Sequence, residues 1–189
     1  MKEGAHGVNH IMINPSGDRF MFLHRWLVNN RKYTRLITLN TDGTDIYNLN
    51  NDDMTSHSFW KNDSEILSFA NKNEVGNGYF LFQDKTQNYK HVLTELSVDG
   101  HPSYSPNGEM IITDTYPNRS RTQSLYLVKN NKITNIGNVH DPFRYDNDFR
   151  CDLHPRWDRF NEKIAFDSVY EGKRRLYLLK INEDDINES

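Results

Sequence analysis

Four histidines recur at similar intervals, and each opens a similar stretch of sequence. They are His10, His57, His101 and His154, which stand 47, 44 and 53 residues apart. Three residues after each histidine lies a bulky apolar residue, and seven residues after it lies a small or turn-forming one: Ile13 and Gly17, Trp60 and Ser64, Tyr104 and Gly108, Trp157 and Asn161. A repeat of this length predicts one supersecondary unit used several times.

Short apolar runs follow each histidine and predict the strands of the unit. The pairs ten and twelve residues after each histidine are Phe20 and Phe22, Leu67 and Phe69, Ile111 and Thr113, Ile164 and Phe166. Third strands are expected at 35–39, 78–82, 124–128 and 175–179, and fourth strands at 45–49, 89–93 and 132–136. Four antiparallel strands in a repeat of this length are typical of a β-propeller blade. The sequence therefore predicts an all-β fold of about four four-stranded antiparallel blades.

The predicted blades lie at 9–54, 55–97, 98–139 and 152–181, and the last ends after its third strand. Residues 140–151 form a long loop before that blade, and residues 182–189 an acidic tail expected to extend into solvent. Closed propellers have about 4–8 blades. Two interpretations follow: a small four-bladed ring, or part of a larger ring of six to eight blades, which we favour. A part-ring leaves open blade edges, which favour self-association.

Composition and charge exclude several classes of protein. The net charge is −3, whereas a general nucleic-acid binder would carry a basic excess. No run of 18 apolar residues is present, so we expect no membrane span. The first seven residues lack the apolar stretch of a secretory signal, and Cys151 is the single cysteine, so no internal disulfide is expected. A cytoplasmic protein is the expectation, and Cys151 is a poor candidate for a nucleophile because nothing beside it marks it as activated.

Two phrases of the sequence resemble a known family. His101-Pro102-Ser103-Tyr104-Ser105-Pro106-Asn107-Gly108 and Leu153-His154-Pro155-Arg156-Trp157, together with Phe166-Asp167-Ser168 and the later stretch 171–177, are similar to oligogalacturonate lyases and other propellers of the TolB type. The turn of the Pro-Asn-Gly type is shared by all TolB-type propellers. The resemblance therefore implies the fold strongly and the chemistry weakly.

The resemblance implies a divalent metal, Mn²⁺, held by His101 and His154. Cys151 stands where the family has a glutamine ligand, and Arg156 stands where it has a further histidine. A guanidinium repels a cation, although it can bind a carboxylate through two hydrogen bonds. The lyase chemistry removes the C5 proton of a uronate, so it needs a cation on the carboxylate and a base. These departures disfavour a metal-dependent lyase and preserve a site for an acidic sugar.

The repeated histidines have two interpretations. If they begin the innermost strands, their imidazoles converge on one region and contact a metal, phosphate or carboxylate. Alternatively, each histidine hydrogen-bonds the backbone of a neighbouring blade and was inherited by duplication. The structural role is the one that we favour.

Polar and aromatic side chains elsewhere are further candidates for an acidic sugar site, each with a plain surface role as its alternative. Arg25 and Trp26 end a strand, the polar loop 114–121 carries Tyr116 and Arg119, and the loop 140–152 is the longest interruption of the repeat. Candidate catalytic residues are Arg156, Arg25 and Tyr145. Candidate substrate-binding residues are His10, His57, Trp26, Tyr116, Arg119, Arg144 and Arg150.

Two functions from different classes fit these observations. The first is a carbohydrate-associated propeller that binds, and in its active form cleaves by β-elimination, an acidic oligosaccharide. The second is a non-catalytic TolB-type scaffold that binds protein or glycan, with structural histidines. Because propellers host many functions, the fold alone does not decide between them.

Overall fold

Antiparallel strands make up nearly all the regular structure of the computed structural model, which describes residues 4–181. Within this range lie fifteen strands and one short 3-10 helix, Asn147–Phe149. The described residues divide after Ser97 into two compact units, and each unit contains two sheets. The predicted acidic tail at 182–189 lies outside the described residues. No helix in the described part of the chain is long and apolar enough to cross a membrane.

The first unit contains two four-stranded sheets in simple sequential order. Blade 1 comprises β1 (His6–Ile13), β2 (Arg19–Val28), β3 (Arg31–Asn40) and β4 (Tyr47–Asn50). Blade 2 comprises β5 (Thr55–Trp60), β6 (Glu65–Lys72), β7 (Gly76–Gln83) and β8 (Tyr89–Val92). Every neighbouring pair of strands is antiparallel, as short hairpin connections require.

The second unit repeats this arrangement. Blade 3 comprises β9 (Ser103–Tyr104), β10 (Met110–Asp114), β11 (Thr122–Lys129) and β12 (Lys132–His140). Blade 4 comprises β13 (Arg156–Trp157), β14 (Lys163–Ser168) and β15 (Arg175–Lys180), so its described part has three strands. The predicted all-β propeller fold is confirmed, and the size of a complete ring stays a prediction.

Alternating side chains build an apolar core between the two blades of each unit. In β2, Met21 and Leu23 are buried while Phe20 and Phe22 on the other face are only partly covered. The first core joins residues of blades 1 and 2: Met21, Leu23, Leu36, Leu49, Trp60, Ile66, Ala70, Phe80 and Phe82. The second joins Met110, Ile112 and Leu127 of blade 3 to Ile164 and Ile181, with Trp157 and Leu179 against it. Blade-to-blade packing therefore holds each unit together.

The strand register corrects one of the matches between repeats that were made by counting residues from each histidine. In blade 1 Ile13 pairs with Phe20, whereas in blade 2 Trp60 pairs with Ile66 because the connecting turn is one residue shorter. Leu67 therefore does not occupy the place of Phe20, although the ungapped sequence puts it there. A shift of one residue moves a side chain to the opposite face of the sheet. The sequence does not reveal this shift of one residue, because Ile66 and Leu67 are both apolar. In the structure both side chains are fully buried.

Candidate functional site

Two histidines of the second unit meet directly before the first strands of blades 3 and 4. The ring centroids of His101 and His154 lie 4.1 Å apart. His101 is buried, whereas His154 is exposed and has a φ of 45°, in the left-handed region. A residue other than glycine rarely takes this conformation, and such strain tends to collect at functional positions. The backbone thus turns the His154 imidazole towards His101.

A buried carboxylate fixes both histidines. Asp114 at the end of β10 accepts hydrogen bonds from the backbone N–H of His101 at 2.6 Å and of His154 at 3.1 Å. Its two oxygens also lie 2.9 Å and 3.0 Å from Nδ1 of His101. The Asp114 side chain is fully buried. One carboxylate therefore joins blades 3 and 4 and orients the His101 ring.

Gly100 makes room for this carboxylate residue. A Cβ at position 100 would lie 1.9 Å from the carbonyl oxygen of Asp114. No side chain fits at that distance, so the close approach of the two backbones requires glycine. In the sequence, Asp114 stands at the start of a polar loop, and no motif marks Gly100. The available signal was a carboxylate thirteen residues after both His101 and His154, at Asp114 and Asp167.

Three side chains form a cluster suited to a metal ion. The ligand atoms of His101, Asp152 and His154 all lie within 4.8 Å of one another. When His101 donates from Nδ1 to Asp114, its Nε2 carries the lone pair that a metal needs. Two imidazoles and one carboxylate suit Mn²⁺ or a similar divalent ion. The residues present therefore fit the implied metal in number and chemistry.

The pKa of His154 is lowered within this cluster. Desolvation by the surrounding protein is the largest cause, followed by the neighbouring His101, while Asp114 and Asp152 act in the opposite direction. The lower pKa favours the neutral imidazole, which is the form that binds metals.

Two arginines add positive charge close to the cluster. Arg150 holds the Asp152 carboxylate through two hydrogen bonds, from Nε at 2.6 Å and from one terminal nitrogen at 2.9 Å. Arg156 is exposed and donates to the carbonyl of Pro155 at 2.8 Å, and its charge contributes to lowering the pKa of His154. The cluster thus combines metal-ligand chemistry with cations that attract a carboxylate.

Tyr116 packs against the buried side of the cluster. Its ring lies 5.7 Å from the ring of His101, and the Arg150 guanidinium lies over it at 4.5 Å. Burial raises the pKa of Tyr116, with further increases from Asp99 and Asp152. The phenol therefore stays protonated at neutral pH and acts as a hydrogen-bond donor rather than as a base.

The long loop before blade 4 is fastened at several points. Arg121 forms an ion pair with Asp141 and donates to the carbonyl of Tyr145 at 2.7 Å. Arg144 and the Tyr145 hydroxyl both donate to the carbonyl of Gly172, the latter at 2.8 Å. The Arg121 contacts tie the loop to the start of β11, and the Gly172 contacts tie it to the β14–β15 hairpin.

Cys151, at the end of the loop, is 1 % exposed, and burial raises the pKa of its thiol. The expectation that Cys151 is not a nucleophile agrees with this environment.

The remaining predicted residues belong to other parts of the fold than the elements that form this cluster. His10 and His57 in the first unit approach each other, with ring centroids 5.0 Å apart. Arg119 is exposed in the 114–121 loop of the second unit. All the site assignments made from the sequence stay predictions. The structure brings His101, His154, Tyr116, Arg150 and Arg156 into one neighbourhood.

Trp26 lies in a row of stacked side chains on one face of blade 1. Successive residues of β2 face opposite sides of the sheet, so Arg25 points to the other face. The ring of Trp26 stacks against His24 and Tyr33, with ring centroids 5.2 Å and 5.6 Å away. The guanidinium of Arg35, in the neighbouring strand, lies 5.5 Å from the same ring.

Solved structures of known proteins share this fold at low sequence identity. Oligogalacturonate lyase in complex with manganese aligns with 95 % of this chain and 66 % of its own, at 12 % identity and a TM-score of 0.56. TolB from Acinetobacter baumannii aligns with 93 % of this chain and 39 % of its own, at 14 % identity and a TM-score of 0.64. An acylaminoacyl peptidase from Pyrococcus horikoshii aligns with 93 % and 31 %, at 17 % identity and a TM-score of 0.58.

These similarities concern the fold. No protein-family model matches the sequence, and no curated protein matches it. The chain spans about two thirds of the lyase and about a third of the other two proteins. The chain has the β-propeller fold that oligogalacturonate lyase and TolB share.

Proposed function

We propose that this chain binds an acidic oligosaccharide at the cluster of His101, Asp152 and His154, with a divalent metal as cofactor. The observation that carries the proposal is the cluster itself, whose three ligand atoms lie within 4.8 Å of one another. The solved lyase with a similar fold is in complex with manganese. A bound divalent ion would supply a positive charge for the carboxylate of a uronate.

The surrounding side chains suit the rest of such a ligand. Arg156 is exposed beside His154, and a guanidinium binds a carboxylate through two hydrogen bonds. Arg150 and Asp152 form an ion pair that offers both a donor and an acceptor to sugar hydroxyls. Blades 3 and 4 therefore bring metal ligands, an exposed guanidinium and polar groups together at one site.

Binding is better supported than cleavage. β-Elimination requires a base for the C5 proton, and the candidates were Arg156, Arg25 and Tyr145. The Tyr145 hydroxyl donates to the Gly172 carbonyl, which holds it as a donor. Arg156 is a cation at neutral pH and accepts no proton in that form. We therefore propose that the function is recognition of the acidic sugar. Cleavage is examined separately by the absorbance measurement described below.

A second function is favoured by one separate feature. Phe143 and Phe149 of the 140–151 loop are 75 % and 74 % exposed. Exposed aromatic residues on an anchored loop are typical of a protein-binding surface. This feature supports the alternative of a non-catalytic TolB-type scaffold that binds protein or glycan.

Calorimetric titration with trigalacturonate, in the presence and absence of Mn²⁺, tests the proposal. We expect wild-type protein to bind the sugar saturably only when Mn²⁺ is present. His154→Ala should weaken Mn²⁺ binding by about tenfold or more, because it removes one of three ligands. His91→Ala is the control: it removes an exposed histidine of blade 2 that is not among the candidate site residues, and it should leave Mn²⁺ binding unchanged.

The results separate the two functions. Sugar binding that is equal with and without Mn²⁺, or equal in wild type and His154→Ala, would overturn the metal site. Failure to bind trigalacturonate or Mn²⁺ at all would favour the scaffold. Ultraviolet absorbance of an unsaturated product, followed in the same samples, reports cleavage, and its appearance would correct the restriction to binding.

A further inference from the structure

Arg150 binds both oxygens of Asp152, which is the carboxylate among the three side chains of the cluster. Its Nε donates to Oδ1 at 2.6 Å, and a terminal nitrogen donates to Oδ2 at 2.9 Å. Each carboxylate oxygen offers two lone pairs, so the guanidinium takes one on each oxygen. Arg150 and a divalent ion therefore compete for the same negative charge.

The backbone that carries this ion pair is fastened, whereas the Arg150 side chain is not buried. The carbonyl of Arg150 accepts a hydrogen bond from Arg174 at 3.0 Å. The carbonyl of Cys151 accepts one at 3.0 Å from Gln123, which is 1 % exposed. The side chain of Arg150 is 39 % exposed. Because exposed side chains change rotamer rapidly, the guanidinium can leave Asp152 while the main chain stays in place.

Tyr116 gives the same guanidinium a second contact within the site. The central carbon of the Arg150 guanidinium lies 4.5 Å from the centroid of the Tyr116 ring. This contact does not involve Asp152, and the Tyr116 ring itself packs against the ring of His101. A cation over an aromatic ring is held by electrostatic attraction. Arg150 can therefore release Asp152 and remain beside the cluster.

The charge of Arg150 acts in opposite directions on the two ligands of the proposed site. The Asp152 side chain is 14 % exposed, so water and salt screen the charges around it only partly. A positive charge in contact with Asp152 reduces the attraction of this carboxylate for a metal ion. The same charge attracts the carboxylate of an acidic sugar.

We propose that Arg150 couples metal binding to sugar binding, an inference that rests on the proposed function. Asp152 exchanges Arg150 for the divalent ion, and the released guanidinium binds the carboxylate of the acidic sugar. Each ligand then raises the affinity for the other, because a coupling free energy between two sites is reciprocal. Arg150 is therefore the residue that makes sugar binding depend on the metal.

Calorimetric titration of Mn²⁺ without sugar, and then of trigalacturonate in excess Mn²⁺, tests the two directions separately. Arg150→Met removes the charge and keeps an unbranched apolar side chain. It should raise the affinity for Mn²⁺ by about fivefold or more and lower the affinity for the sugar by a similar factor. Arg150→Lys keeps the charge without the paired hydrogen bonds, so it should shift both affinities in the same directions by less. Arg159→Met removes an exposed arginine in the β13–β14 turn and is the control, which should change neither affinity.

The sign of the effect on Mn²⁺ separates competition from a structural role. A residue that only supports the loop would weaken Mn²⁺ binding when it is replaced. An unchanged or lower affinity for Mn²⁺ in the folded Arg150 variants would therefore overturn the coupling and leave the metal site standing. A higher affinity for Mn²⁺ with an unchanged affinity for the sugar would overturn it too, because the guanidinium would then not bind the sugar. Absence of Mn²⁺ binding from the wild type and both Arg150 variants would overturn the proposed function, and the coupling with it. Circular dichroism verifies that each variant is folded.

Discussion

The two units join their blades at equivalent backbone positions with opposite chemistry. In the first unit, the buried guanidinium of Arg19 in blade 1 donates to Asp84 of blade 2 at 2.8 Å, while Leu23 four residues later is apolar and fully buried. In the second unit these two positions are Met110, in the apolar core, and Asp114, which contacts His101 and His154. Each unit thus has a buried polar contact between its two blades, which we call the clamp: Arg19 with Asp84 in the first unit, and Asp114 with the two histidines in the second. The two clamps lie at different ends of the strand.

This difference determines which of the two histidine pairs lies beside carboxylates. The clamp of the first unit holds a turn, and its His10 and His57 have Leu23 and Ala70 thirteen residues further on. The clamp of the second unit contacts the histidines themselves, and Asp152 adds another carboxylate. The repeat thus supplies imidazoles to both units, while carboxylates give one of them a metal-binding donor set. Four predictions examine this contrast.

Arg19→Met makes the first unit resemble the second at this position and should have the largest effect. It leaves the Asp84 carboxylate buried without its charged partner, so we expect a loss of about 3 kcal/mol in the free energy of unfolding. Chemical denaturation measures it. Arg31→Met breaks an exposed pair with Asp53 and should cost under about 0.5 kcal/mol. Equal effects of the two variants would contradict a structural clamp at Arg19.

Asp114→Asn tests the clamp of the second unit. The amide keeps the shape of the side chain but loses the charge that accepts from His101 and His154, so we expect a loss of about 2 kcal/mol. Mn²⁺ binding, measured by titration, should weaken as well, because the His101 tautomer is no longer fixed. Asp167→Asn, at the same position of blade 4, is the control. If Asp114→Asn left Mn²⁺ binding unchanged, Asp114 would not position the cluster.

The sequence predicts the repeat well and the clamps poorly, for a physical reason. Strand period and turn residues are local signals, so the blades and the histidine positions follow directly from them. The contacts of Asp114 depend on how two blades pack, and the residues it joins are 13 and 40 positions away. The same limit applies to the contact of Arg35 with the Trp26 ring, which joins two neighbouring strands and leaves no local signal in the sequence.

Gly100→Ala tests the space on which the clamp depends. The added Cβ would lie 1.9 Å from the Asp114 carbonyl, so the backbone must shift, at a cost of about 1–3 kcal/mol. Gly137→Ala is the matched control, since nothing lies within 4 Å of its Cβ. Thermal unfolding of both variants measures the difference. A melting temperature of Gly100→Ala equal to that of Gly137→Ala would contradict the close approach of Gly100 to Asp114.

The pH dependence of stability should show the smallest effect. The pKa of His154 is lower in the folded chain than its ordinary value near 6.5, mainly through desolvation. The unfolded chain therefore binds a proton at this residue more readily as the pH falls through 6.5, so the free energy of unfolding should decrease in that direction. His154→Gln should lessen this decrease relative to the wild-type chain. Denaturation at pH 5 and pH 7.5, about 1 unit or more to either side of that ordinary value, measures the wild-type chain and the variant. A wild-type chain more stable at the lower pH, with His154→Gln removing that gain, would mean that the carboxylates of Asp114 and Asp152 outweigh desolvation at this imidazole.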